Sequence, residues 1–222
     1  MTRKGKGRNT PSSPKHRGVV VLAGEDRHDC EILAALIRAH RPDLTDTAKL
    51  VRVNDPVRLR KKTGAKLTAA VETLVGKARA KALQQRAQLY GIVVHEDLDQ
   101  VTDSDYRAVR RRVADALDRQ RGSSHAVFAL AAWESEAWLL LFPDAFPKVR
   151  LHWKVPARLR GKDSGRIRDP KEELKRTLGN PRFRESDGPL VAQAALDNGL
   201  LASPVGTNRS YGDFLADLDA WA

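Results

Sequence analysis

Four short apolar runs alternate with amphipathic stretches over residues 18–142. A run of this kind fits a strand that is covered on both faces, as in a parallel sheet. Between the runs, apolar residues recur every three or four positions, which is typical of helices that bury one face. The order β-α-β-α-β-α-β-α predicts a Rossmann-like α/β fold, in which a parallel sheet of about four strands is flanked by helices. The predicted strands are residues 18–24, 49–54, 91–94 and 125–132.

Helix-start signals place the helices that connect these strands. Asp26 or Asp29 is the expected cap of the first helix, and Asp103 or Ser104 caps the helix before the last strand. The predicted connecting helices span about residues 30–40, 66–88 and 104–121. From about residue 145 the periodicity weakens, and short helices are predicted after Asp169, after Gly188 and over residues 211–221. We interpret this region as a helical C-terminal part within one α/β domain of residues 18–222.

The charge balance favours polyanionic partners. The formal net charge is +12, which favours nucleic acid as a partner and makes such binding sensitive to salt. Residues 1–17 carry six of the Lys and Arg residues and no acid, among several Gly, Pro and Ser residues. This composition predicts a disordered basic tail.

Several classes of protein are not favoured by this sequence. No apolar run approaches the ~18 residues that span a bilayer, so no membrane association is expected. Cys30 is the only cysteine, which is consistent with a cytoplasmic location and offers no zinc-ligand spacing. The glycine-rich signatures of P-loop nucleotide hydrolases and of dinucleotide-binding folds are both absent.

Acidic side chains follow three of the four predicted strands. Glu25 follows the first strand, Asp97 and Asp99 follow the third, and Glu134 and Glu136 follow the fourth. Parallel strands place these ends at one edge of the sheet, where ligands bind. Asp97 and Asp99 would point to the same side of an extended segment, and one hard cation such as Mg²⁺ could bridge them. The alternative is that each acid only marks the point where a strand enters solvent.

The acidic segments resemble a known family. Gly24-Glu25, Asp97-Leu98-Asp99, the segment 135–140 (Ser-Glu-Ala-Trp-Leu-Leu) and the segment 169–172 (Asp-Pro-Lys-Glu) resemble the TOPRIM fold of topoisomerases, primases and overcoming-lysogenization-defect nucleases. The similarity is greatest to a family of TOPRIM-like bacterial proteins and covers about residues 18–195. That family usually has Glu-Gly at the first motif, whereas this chain reads Ala23-Gly24-Glu25. Asp29 is therefore an alternative to Glu25 at this position.

The resemblance implies a function and a set of roles. Asp97 and Asp99 would hold Mg²⁺ or Mn²⁺, and Glu25 would act as an acid/base or a further ligand. Glu136 or Glu134 would complete the site, and we favour Glu136. The implied function is Mg²⁺-dependent phosphodiester cleavage of nucleic acid, in bacterial defence. The alternatives are a non-catalytic module that binds a partner ATPase or nucleic acid, and a small-molecule phosphotransfer enzyme.

Basic and aromatic residues outside the tail could contact nucleic acid. Lys171 is the first candidate for a phosphate contact, with solvation of a helix start as the alternative. Lys154 and Arg158 are further candidates, and Trp153 beside Lys154 could stack on unpaired bases. His95 could act as a base, although a histidine in this setting is more often a packing residue.

Overall fold

The protein contains a four-stranded, all-parallel sheet, seen in a computed structural model that describes residues 17–221. The strands are β1 (Gly18–Ala23), β2 (Ala48–Arg52), β3 (Gln88–Asp97) and β4 (His125–Ala131). Their order is β2-β1-β3-β4, so β1 and β3 are the central strands. The predicted α/β fold is confirmed. The predicted basic tail lies outside the described residues, apart from Arg17.

Helices connect the strands and form most of the C-terminal half. They are α1 (Arg27–His40), α2 (Pro42–Thr47), α3 (Gly64–Gln84), α4 (Ser104–Gln120), α5 (Glu136–Leu139), α6 (Phe146–Val149), α7 (Pro170–Thr177), α8 (Gly188–Asp197) and α9 (Arg209–Asp219). Helix α3 ends earlier than predicted because Arg86 adopts a left-handed conformation (φ 52°), and β3 begins at Gln88. In the described part of the chain, no helix has the length and apolar character needed to cross a membrane.

Two hydrophobic cores cover the two faces of the sheet. One core contains the apolar side of α1 together with buried residues of α8 and α9. The other contains the apolar sides of α3 and α4. Side chains of β3 alternate between them, so Val93 lies in the first core and Ile92 and Val94 lie in the second. By the same alternation, His95 and Asp97 at the end of β3 lie on one face of the sheet and Glu96 lies on the other.

Candidate metal site

A polar cleft of about 330 Å³ opens at the carboxyl edge of the sheet. The segments that follow β1, β3 and β4 form its walls, together with the start of α7. The five acids predicted at the strand ends all line this cleft, as does Lys171. The charged or titratable residues in its walls are Glu25, Asp26, His28, Asp29, Arg58, Asp97, Asp99, Glu134, Glu136, Lys171 and Glu185. The fold therefore brings the predicted acids together, as the parallel topology requires.

His95 is buried between two of the carboxylates that line the cleft. Its Nδ1 atom lies 3.6 Å from Oδ1 of Asp29, and its Nε2 atom lies 3.7 Å from Oδ1 of Asp97. The residue is 1% exposed, and neither ring nitrogen has a hydrogen-bond partner among the described residues. Asp29, His95 and Asp97 offer ligand atoms within 4.8 Å of one another, so this cluster could hold a metal ion.

The turn from β1 into α1 fixes the position of Asp29. Asp26 caps α1 by accepting a hydrogen bond from the Asp29 amide at 3.0 Å, and Oδ2 of Asp29 accepts one from the Asp26 amide at 3.3 Å. Gly24 permits a close approach here, since a Cβ atom on it would lie 3.1 Å from the Cβ atom of Asp29. The cap thus uses one oxygen of Asp29 and leaves Oδ1 next to His95. Glu25, in the same turn, pairs instead with Arg58 at 3.4 Å.

The two aspartates after β3 have different surroundings. Asp97 ends the strand, and its Oδ1 atom accepts a hydrogen bond from the Ser135 amide at 3.0 Å. Asp99 adopts a left-handed conformation (φ 60°), and its exposed carboxylate pairs with Arg60 at 2.6 Å. The expectation that both residues lie on one extended segment is therefore wrong. Within the described residues, the ligand cluster around Asp97 contains Asp29 and His95 and not Asp99.

The two glutamates after β4 also differ. Glu134 accepts a hydrogen bond from the Lys171 amide at 3.1 Å, and its other oxygen lies 3.4 Å from Nζ of Lys171. Glu134 therefore ties β4 to the start of α7. Glu136 is 4% exposed and begins α5, with Oγ of Ser135 at 3.4 Å as its hydrogen-bond partner. No cation forms an ion pair with Glu136 in the described part of the chain.

Burial and mutual repulsion raise the pKa of two carboxyl groups in this cleft. Burial, reinforced by the charges of Asp29 and Glu136, raises the pKa of Asp97 well above its usual range, although His95 acts in the opposite direction. Burial raises the pKa of Glu136 to about 7 despite the opposing charge of Lys171. Burial also opposes the charged form of His95, but Asp29 and Asp97 together raise its pKa to about 9. A bound cation would favour the ionised carboxylates.

The residues predicted to bind nucleic acid, other than Lys171, lie outside the cleft. Trp153 is fully buried and donates a hydrogen bond from its indole to the carbonyl of Pro181 at 2.8 Å. The prediction that it stacks on bases is wrong, because its ring belongs to the core despite its polar sequence neighbours. Lys154 is exposed, and Arg158 pairs with Glu173 of α7.

His95 and Asp29 belong to the cluster, although the sequence indicated them only as alternatives. A signal was present, because residues two apart on a strand share a face, and His95 stands two positions before Asp97. For Asp29 the sequence predicted a helix cap, and this role gave no indication that its carboxylate also lies beside His95.

The fold and the site define an α/β protein with a cluster that could bind a metal at the carboxyl edge of a parallel sheet. No protein-family model, curated protein or solved structure matches this chain. The TOPRIM resemblance stays a prediction that depends on short motifs.

Proposed function

We propose that this protein is a Mg²⁺- or Mn²⁺-dependent phosphodiesterase that cleaves nucleic acid. The observation that carries the proposal is the buried His95, whose ring nitrogens lack hydrogen-bond partners among the described residues and lie between Asp29 and Asp97. A buried polar group without a hydrogen bond is unfavourable, so one ring nitrogen, together with its neighbouring carboxylate, is suited to a ligand that the chain itself does not supply.

The donor set fits a divalent cation. Asp29 and Asp97 offer carboxylate oxygens, which Mg²⁺ and Mn²⁺ prefer, and His95 adds an imidazole nitrogen. Glu136 lines the same cleft. Unlike Glu134, it forms no ion pair within the described residues. The Ser135 amide orients Asp97, as hydrogen bonds to ligand side chains commonly do.

A divalent cation in this cluster would activate a water and stabilise the charge that develops at phosphorus. The side chains around it are suited to the remaining tasks. Glu136, with a pKa of about 7, can accept or donate a proton near neutral pH. Lys171 places a positive charge in the cleft, where a phosphate would be attracted. The net charge of +12 favours a polyanionic substrate. The TOPRIM resemblance supports the same reaction and a role in bacterial defence.

The test is metal-dependent cleavage of end-labelled DNA and RNA oligonucleotides. Wild-type protein should cleave at least one of them with MgCl₂ or MnCl₂ and none in EDTA. Asp97→Asn should lower the rate by roughly 100-fold or more, because it removes a ligand carboxylate. Asp115→Asn, at an exposed position of α4 outside the cleft, should leave the rate unchanged. Cleavage that survives Asp97→Asn or EDTA would contradict the proposal.

A second candidate is a non-catalytic module that binds nucleic acid or a partner ATPase. The observation that favours it is the raised pKa of His95, because a protonated imidazole between Asp29 and Asp97 would offset part of their negative charge without a metal. Titration of Mn²⁺, followed by the electron paramagnetic resonance signal of the free ion, separates the two candidates. If the protein binds Mn²⁺ and Asp97→Asn weakens this binding, the enzyme is supported. If the protein neither binds Mn²⁺ nor cleaves nucleic acid, the module is supported.

A further inference from the structure

We infer that residues 57–62, here named the basic loop, bind the phosphodiester backbone of a nucleic acid that enters the acidic cleft. The inference deepens the proposed function, since it names the surface that holds the substrate. It also differs from the sequence prediction, which placed these contacts at Lys171, Lys154, Arg158 and Trp153.

The basic loop carries positive charge that its own ion pairs only partly neutralise. It contains four Lys and Arg residues and no acid. The side chain of Arg58 is 71% exposed and points toward Glu25 of the cleft at 3.4 Å. Within the described residues, neither Lys61 nor Lys62 forms an ion pair, and Lys62 donates only to the Arg58 carbonyl, at 2.6 Å. The two lysines are therefore available to phosphate groups, and Arg58 is exposed beside them.

A buried carboxylate holds the loop in place. Glu96 is 1% exposed and accepts hydrogen bonds from the amides of Leu59 and Arg60, the latter at 3.0 Å. The Arg60 guanidinium donates to the Leu98 carbonyl and pairs with Asp99 at 2.6 Å. Burying a carboxylate is costly unless hydrogen bonds compensate, and here both sets of contacts fix the loop against the end of β3.

The depressions along the basic loop adjoin the acidic cleft and share lining residues with it. A second depression of about 380 Å³ is lined by the basic loop, and it shares Glu25, Arg58, Asp97 and Asp99 with the acidic cleft. A third, of about 480 Å³, continues past Arg60 and Lys61 to Arg112 on α4. These depressions place cations beside a cluster that could bind a metal. Such a surface suits a nucleic acid, because its backbone can be held at several phosphates.

The test measures binding without cleavage. Full-length protein in EDTA is titrated into fluorescein-labelled single-stranded DNA or RNA, and anisotropy is recorded over a series of salt concentrations. Replacing Arg58, Lys61 and Lys62 by Ala should weaken binding roughly tenfold on at least one probe. It should also make the plot of log K against log salt shallower by about 2, since each lost contact on a single strand contributes ~0.7.

A matched variant removes three cations at the opposite edge of the sheet. Lys81, Arg86 and Arg119 lie near the C-terminal ends of α3 and α4, and their replacement by Ala gives the same net charge. This variant should keep wild-type affinity and slope. Equal weakening by both variants, or no binding by wild-type protein, would overturn the inference. Loop-dependent binding without cleavage in Mg²⁺ or Mn²⁺ would instead refute the proposed function and leave the inference standing.

Discussion

Glu136→Gln should stabilise the metal-free protein at pH 8, although it removes a candidate functional group. The pKa of Glu136 rises from 4.5 to about 7 in the fold, chiefly because the side chain is buried. The difference of about 2.5 corresponds to ~3 kcal/mol between the protonated and ionised forms. A glutamine of nearly the same shape carries no charge, so it should recover up to about this much free energy of unfolding.

The effect should depend on pH in a defined direction. Because the pKa of Glu136 is higher in the folded state than in the unfolded chain, the folded state binds the proton more tightly. The free energy of unfolding of wild-type protein should therefore fall, through this group, as pH rises from about 4.5 to about 7, and then level off. The variant lacks this contribution, so the two proteins should be close in stability at pH 4.5 and separate at pH 8.

Urea unfolding in EDTA at both pH values measures this difference. Glu172→Gln is the matched control, because Glu172 is 67% exposed and pairs with Lys175 on the surface of α7. It should change the free energy of unfolding by less than ~0.5 kcal/mol at either pH. If Glu136→Gln lowers stability at pH 8, Lys171 already compensates the Glu136 charge, and the argument that the cleft favours a cation fails.

Two further predictions test the packing of β3 and the anchoring of the basic loop. Gly91→Ala should lower the free energy of unfolding by about 1–3 kcal/mol in urea, because the added Cβ atom would lie 2.6 Å from the ring of Trp221. When Trp221→Ala is already present, Gly91→Ala should no longer cause this loss of stability. If the two substitutions instead lower the free energy of unfolding additively, the clash is contradicted. Glu96→Gln should speed hydrogen exchange of the two loop amides that it binds by roughly 10- to 100-fold, corresponding to ~1–3 kcal/mol. Unchanged exchange, measured by NMR, would show that Glu96 does not anchor the loop.

The sequence by itself determined the layout of the protein. The apolar runs and helical periodicity predicted the α/β class and the parallel sheet, because these patterns depend on neighbours a few positions away. The acids at the strand ends followed from the same reasoning, since parallel strands share one carboxyl edge. Glu25, Asp97 and Glu136 do line one cleft.

Only the tertiary structure decided which of these groups meet. Asp29 and Asp97 flank His95 because α1 packs against the same face of the sheet that carries the end of β3. The left-handed conformation of Asp99 keeps its carboxylate out of this cluster. Trp153 is buried in the core despite its charged sequence neighbours. Contacts between segments far apart in the chain set these positions, and local sequence patterns do not specify which segments meet.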